Sequence, residues 1–143
     1  MQKLFNKKMW LLAVPLAMIM AGCSGSDDPV VGTGGGGAPD ITAPTVSSTI
    51  PADTATGVAI NQNLTVTFSE AMDPATISAT TFTVMQGATP VPGVVTYVGT
   101  VATFNPTTDL AANTVVTATI TMGVMDLAGN ALAANKTWSF TTG

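Results

Sequence analysis

The chain has 143 residues, with Lys+Arg 4, Asp+Glu 8, no His and one Cys, and the four bases are all Lys. That length suits one ordinary domain, and the missing His removes imidazole chemistry. Without Arg there is no bidentate phosphate clamp, and a lone Cys makes neither an internal disulfide nor a thiolate metal cluster. An acidic chain without a basic patch is not built for nucleic acid.

Residues 1–10 carry Lys3, Lys7 and Lys8 and no acid, and Leu11-Leu12-Ala13-Val14-Pro15-Leu16-Ala17-Met18-Ile19-Met20 is an unbroken apolar run. The run is too short to cross a bilayer core of roughly 30 Å as a helix, which takes about 20 residues. A basic start and a short apolar run are the n- and h-regions of an export signal. Ala21-Gly22 and then Cys23 follow, and this arrangement resembles a bacterial lipoprotein signal peptide. Met20 stands where that motif usually has Leu. The resemblance implies cleavage after residue 22, lipidation of Cys23 and membrane attachment through acyl chains such as palmitate. A single acyl chain holds weakly, so stable anchoring takes several. Cleavage removes Lys3, Lys7 and Lys8, which leaves Lys136 against all eight acids. Such a chain suits an extracytoplasmic setting and carries no basic patch for anionic lipid.

Residues 23–43 read as the lipidated Cys and a tether. They hold Gly34-Gly35-Gly36-Gly37 and few large apolar side chains. A segment of that kind cannot bury enough surface to offset its ordering entropy. As a coil of about 20 residues it spans on the order of 25 Å. Ser24, rather than Asp, follows Cys23. By analogy with lipoprotein sorting this favours the outer membrane, on its periplasmic or its surface-exposed side.

From residue 44 onward the apolar period is two. Leu64, Val66 and Phe68 alternate with Thr65, Thr67 and Ser69; Val116, Ala118 and Ile120 alternate with Thr117, Thr119 and Thr121. Similar alternation around Phe82 and Val84, Val95 and Tyr97, Ala102 and Phe104, and Trp138 and Phe140 adds four strands. A weaker strand over residues 45–50 brings the expected number to seven. Seven short strands between Gly, Pro, Asn and Asp turns predict an all-β, seven-stranded, Ig-like antiparallel sandwich of Greek-key type. One helical turn is expected over residues 74–80, with Asp73 as its cap and Pro74 at its first position. The inward phase places Trp138 and Tyr97 in the core rather than on a sugar-stacking platform. The Thr rows fall on a solvated face.

Several short motifs match a family. They are Ile50-Pro51-Ala52-Asp53, Val66-Thr67-Phe68-Ser69-Glu70-Ala71-Met72-Asp73, Phe104-Asn105-Pro106, Leu110-Ala111-Ala112-Asn113-Thr114, Asp126-Leu127-Ala128-Gly129-Asn130 and Trp138-Ser139-Phe140-Thr141-Thr142. Residues 44–143 thereby resemble the bacterial Ig-like domain of the SbsA type, from S-layer proteins. Val116 departs from the Tyr that members often carry there. The resemblance implies a cell-envelope architecture and no particular chemistry.

Four oxygen-bearing residues make the best candidate site: Glu70, Asp73, Asp126 and Asn130. In an Ig sandwich the B–C and F–G loops share one end, which would bring these four together around a hard cation such as calcium. As plain turn residues, Asp126 and Asn130 would bond their own backbone around Gly129. Enzyme activity is not expected. A glycosidase would need a second suitably placed acid and a cleft, and a hydroxyl nucleophile would need a base other than the solitary Lys136. The sequence therefore predicts a non-catalytic, lipid-anchored envelope module acting as a structural spacer or interaction domain. The alternatives are an adhesin or carbohydrate-binding surface protein, or the membrane-proximal part of a longer exported protein. Cell-surface polymers or other envelope proteins are the expected partners, with no cofactor beyond the candidate calcium. With the tether entering at residue 44, the acidic loops are expected at the tether end and Gly143 at the far end.

Overall fold

Alternation of apolar and hydroxyl side chains gives each strand one face for the core and one for water. In the computed structural model, which describes residues 38–143, the chain forms eight strands. They are β1 (Val46–Ile50), β2 (Leu64–Phe68), β3 (Phe82–Gln86), β4 (Thr89–Pro90), β5 (Gly93–Val98), β6 (Val101–Pro106), β7 (Val115–Ile120) and β8 (Lys136–Thr141). The signal peptide, Cys23 and the tether as far as residue 37 lie outside the described residues. No described helix is long and apolar enough to cross a membrane.

The strands form two four-stranded sheets, ordered β1-β2-β6-β5 and β4-β3-β7-β8, with every pairing antiparallel. This is the all-β sandwich expected, with eight strands rather than seven. The extra strand, β4, has two residues and includes Pro90. Two residues show no alternation, and proline argues against a strand, so the sequence carried no sign of it. The helical turn is also shorter than expected: a 3-10 turn over Pro74–Thr76, capped by Asp73, whose Oδ1 accepts the Ala75 N–H at 2.9 Å.

The core forms where the inward faces meet. β2 contributes Leu64, Val66 and Phe68, β7 contributes Val116, Ala118 and Ile120, and β8 contributes Trp138 and Phe140, all buried. Phe82 sits at the centre, with its ring centroid 5.5 Å from Phe104 and 6.0 Å from Trp138. Each of the larger aliphatic and phenyl side chains contributes roughly 1.5–3 kcal/mol on burial. The outward Thr hydroxyls pair across strands, Thr117 with Ser139 at 3.0 Å and Thr119 with Thr137 at 3.1 Å.

The outer edge of β8 is covered by residues 53–58. Thr54 donates to the Ser139 carbonyl at 2.6 Å, Thr141 N–H donates to Ala55 at 2.8 Å, and Val58 N–H donates to Thr141 at 3.1 Å. Asp53 Oδ1 accepts the Ser139 N–H at 2.9 Å. The β5–β6 hairpin turns through Gly99 and Thr100, where Gly99 adopts φ 65°, a conformation that costs other residues energy.

Candidate functional site

The β2–β3 and β7–β8 connections lie side by side at one end of the sandwich. Asp73 N–H donates to the Met125 carbonyl at 2.8 Å, Met125 N–H donates to Thr76 Oγ1 at 3.0 Å, and Met72 and Asp126 form an isolated bridge. Met72 is buried, and the Tyr97 hydroxyl accepts its N–H at 2.7 Å. The loops are thus bonded to each other and to the sheet before any ligand is considered.

Asp126 is buried at 3% exposure and organises its own loop. Its Oδ1 accepts the Ala128 and Asn130 N–H groups, both at 2.8 Å, and its Oδ2 accepts Asn130 Nδ2 at 2.7 Å. Gly129, at φ 91°, completes the turn with its N–H on the Asp126 carbonyl at 3.2 Å. Asn130 Nδ2 also donates to the Asp40 backbone carbonyl at 3.0 Å, which fixes the incoming chain at this end. Carboxylate oxygens of Asp40, Glu70 and Asp126 lie within 4.8 Å of one another. With Ala71, Leu127 and Ala128 they line a depression of about 330 Å³.

Crowded carboxylates titrate unequally. Glu70 is raised above its ordinary value, first by desolvation, then by the charges of Asp40 and Asp126 and a hydrogen bond with Asp40. Desolvation also pushes Asp126 upward, but hydrogen bonds from Asn130, Ala128 and Gly129 outweigh it and hold the carboxyl below its ordinary value. Oxygen donors in this arrangement suit a hard cation rather than a soft one.

The structure brings Glu70, Asp126 and Asn130 together. It does not bring in Asp73, because the Asp73 carboxylate is committed to capping the turn at Ala75. Its place is taken by Asp40, which lies within the tether expected over residues 23–43 and instead belongs to the folded domain. The one signal was that Asp40 is the sole charged residue in residues 29–52. Trp138 is 1% exposed, and its Nε1 has no hydrogen-bond partner among the described residues. An indole so enclosed is core and leaves no sugar platform. Tyr97 is half-buried, with its ring edge-on to Phe68 and its hydroxyl donating to the Gly99 carbonyl.

Among solved structures, the S-layer protein rSbsC(31-844) is similar at 24% identity and TM-score 0.54, over 70% of this chain and 14% of that one. CopC from Methylosinus trichosporium OB3b is similar at 14% identity and TM-score 0.54, over 69% of this chain and 92% of that one. The L,D-transpeptidase from Mycobacterium smegmatis is similar at 19% identity and TM-score 0.51, over 71% of this chain and 41% of that one. At such identities the likeness is one of fold, and the match spans about one-seventh of the S-layer chain, 14%. No curated protein matches the sequence. The family model for the bacterial Ig-like domain matches residues 40–142, and its first residue is the aspartate that closes the acidic site. The chain belongs to the bacterial Ig-like domain family.

Proposed function

We propose that the protein is a non-catalytic, lipid-anchored module of the cell envelope, held through acyl chains on Cys23, whose Ig-like domain acts as a spacer. The observation that carries the spacer reading is the placement of the two ends of the domain. Asp40 is bonded into the loops at one end. Gly143 N–H donates to Val58 at 2.9 Å, within the β1–β2 connection at the other end. The polypeptide therefore gains the whole length of the sandwich between these points. The lipobox-like context of Cys23 supports the anchor, and the likeness to an S-layer protein supports an envelope setting. Ser24 favours the outer membrane. Cell-surface polymers or other envelope proteins are the partners such a module would meet. The adhesin alternative loses its aromatic platform with Trp138 buried.

The acidic site carries a second reading, calcium bound by Asp40, Glu70 and Asp126, favoured by the approach of their oxygens within 4.8 Å. Calcium there would pin residue 40 to the loops of the domain. The anchor is tested by detergent phase partitioning. The wild-type chain is expected in the detergent phase and Cys23→Ser in the aqueous phase; unchanged partitioning would reject lipidation.

A further inference from the structure

A sheet edge presents unpaired N–H and C=O groups, and proteins usually blunt such edges with charge, proline, a bulge or a covering segment. The sandwich has four edge strands, β1, β5, β4 and β8. β8 is covered by residues 53–58. β4 has two residues and contains Pro90. β1 carries a register shift between Val46 and Ser48 and stops at Pro51. β5 has none of these devices. It runs six residues, Gly93–Val98, without proline or charge. No charged residue occurs anywhere in residues 74–108.

The register shows which groups of β5 are free. Phe68 N–H donates to the Thr100 carbonyl, so the even-numbered groups at the start of β6 face β2 and the odd-numbered ones face β5. β5 meets β6 as Val94↔Asn105, Thr96↔Thr103 and Val98↔Val101. In an antiparallel ladder these three residues then bond β6, and the N–H and C=O groups of Val95 and Tyr97 point away from the sheet. The side chains of Val94, Thr96 and Val98 stand on the solvent face, and the two valines are 56% and 79% exposed. That row reads the same in both directions about Thr96.

We propose that β5 is a pairing edge for a second copy of this chain, joining two sandwiches through antiparallel β5–β5 contact about a two-fold axis at Thr96. In this register Val95 exchanges hydrogen bonds with Tyr97 of the copy, and Val94 packs against Val98 of the copy. β-branched cross-strand pairs of this kind stabilise antiparallel sheets. The palindromic row selects a like strand as the occupant, since an isologous contact must be complementary to itself. Charge selects it too. Two acidic domains repel wherever their carboxylates meet, and β5 lies within the long uncharged stretch. The Tyr97 hydroxyl, tied to Met72 and Gly99, holds the edge ready. One strand pair is smaller than a standard interface, so the contact depends on a high local concentration of copies.

Trapping across the axis tests this. Opposed residues at a non-hydrogen-bonded antiparallel position lie at a Cα separation of about 4.5 Å, within disulfide reach. Full-length Thr96→Cys, oxidised with diamide, is expected to give a disulfide-linked dimer. The wild-type chain, whose only cysteine, Cys23, is a thioether under the proposed lipid anchoring, and Thr137→Cys, on the exposed face of β8, are expected to give none. Adding Val94→Glu and Val98→Glu to Thr96→Cys opposes like charges and should abolish the dimer. Adding Val94→Lys and Val98→Glu opposes unlike charges and should preserve it. Both combinations add the same number of charges at exposed positions, so a difference between them reports pairing rather than folding. Three results would overturn the proposal: cross-linking of Thr137→Cys equal to that of Thr96→Cys, indifference to the sign of the added charges, or capture by Thr96→Cys of a different protein in place of its copy.

Discussion

Glu70 and Asp126 share one acidic pocket and titrate in opposite directions, because only Asp126 is paired with hydrogen-bond donors. A carboxyl whose folded pKa is raised contributes stability below its unfolded pKa and loses it as pH rises through the folded value. Glu70 is of that kind. Asp126 is the reverse, contributing above its unfolded pKa and losing that contribution as pH falls through its depressed folded value. On acidification from neutrality, melting temperature should first rise as Glu70 takes up a proton and fall only at lower pH as Asp126 does. Glu70→Gln should remove the first limb and melt higher than wild type at pH 7. Thermal melts in a pH series check this. Calcium, if bound there, should raise the wild-type melting temperature at pH 7 and leave Glu70→Gln unmoved.

At the level of elements, the β5–β6 hairpin depends on one residue without a side chain. A Cβ at Gly93 would be driven into Cζ and Cε1 of Phe104 and the Asn105 carbonyl oxygen. Phe104 is buried against Phe82, so displacing its ring disturbs the core. Gly93→Ala is expected to destabilise the domain by about 1–3 kcal/mol, the usual cost of overpacking, read by urea denaturation. The long strands were legible because each repeats its apolar period several times, as Leu64, Val66 and Phe68 do. β4 was not, since a strand held only by Met85↔Pro90 and Gln86↔Thr89 has no period to read. The site was half legible for a related reason. Glu70 and Asp126 follow from the order of strands, which puts their loops at one end. Asp73 and Asp40 depend on which backbone N–H each carboxylate finds, and on Asn130 reaching back across the chain to residue 40. The Asp73 cap was legible from the Pro74 that follows it, but not that capping would take the carboxylate out of the site; the return of residue 40 to Asn130 is a choice of local geometry with no period to read.

For the molecule as a whole, the clasp of residues 53–58 over β8 has a mechanical meaning. Asp40 and Gly143 lie at opposite ends, so tension between them runs along the strands. β1 and β8 lie in different sheets, and each takes the load at one end. β8 is bonded on one side to β7 and on the other to residues 53–58 through Thr54, Ala55 and Val58, with Val58 and Thr142 joined in a parallel bridge. Bonds perpendicular to a pulled strand are sheared together, whereas bonds along the pull open one at a time. The covered edge that keeps β8 from pairing with strangers thus also makes it a shear lock. Asp53→Ala, which removes the Ser139 N–H contact at one end of the lock, is expected to lower the rupture force in single-molecule pulling from residue 40 to residue 143. An equal rupture force would place the load on β1 instead. A domain built this way carries tension between residues 40 and 143 as a stiff link, because its last strand cannot peel away from either neighbour without breaking several bonds together.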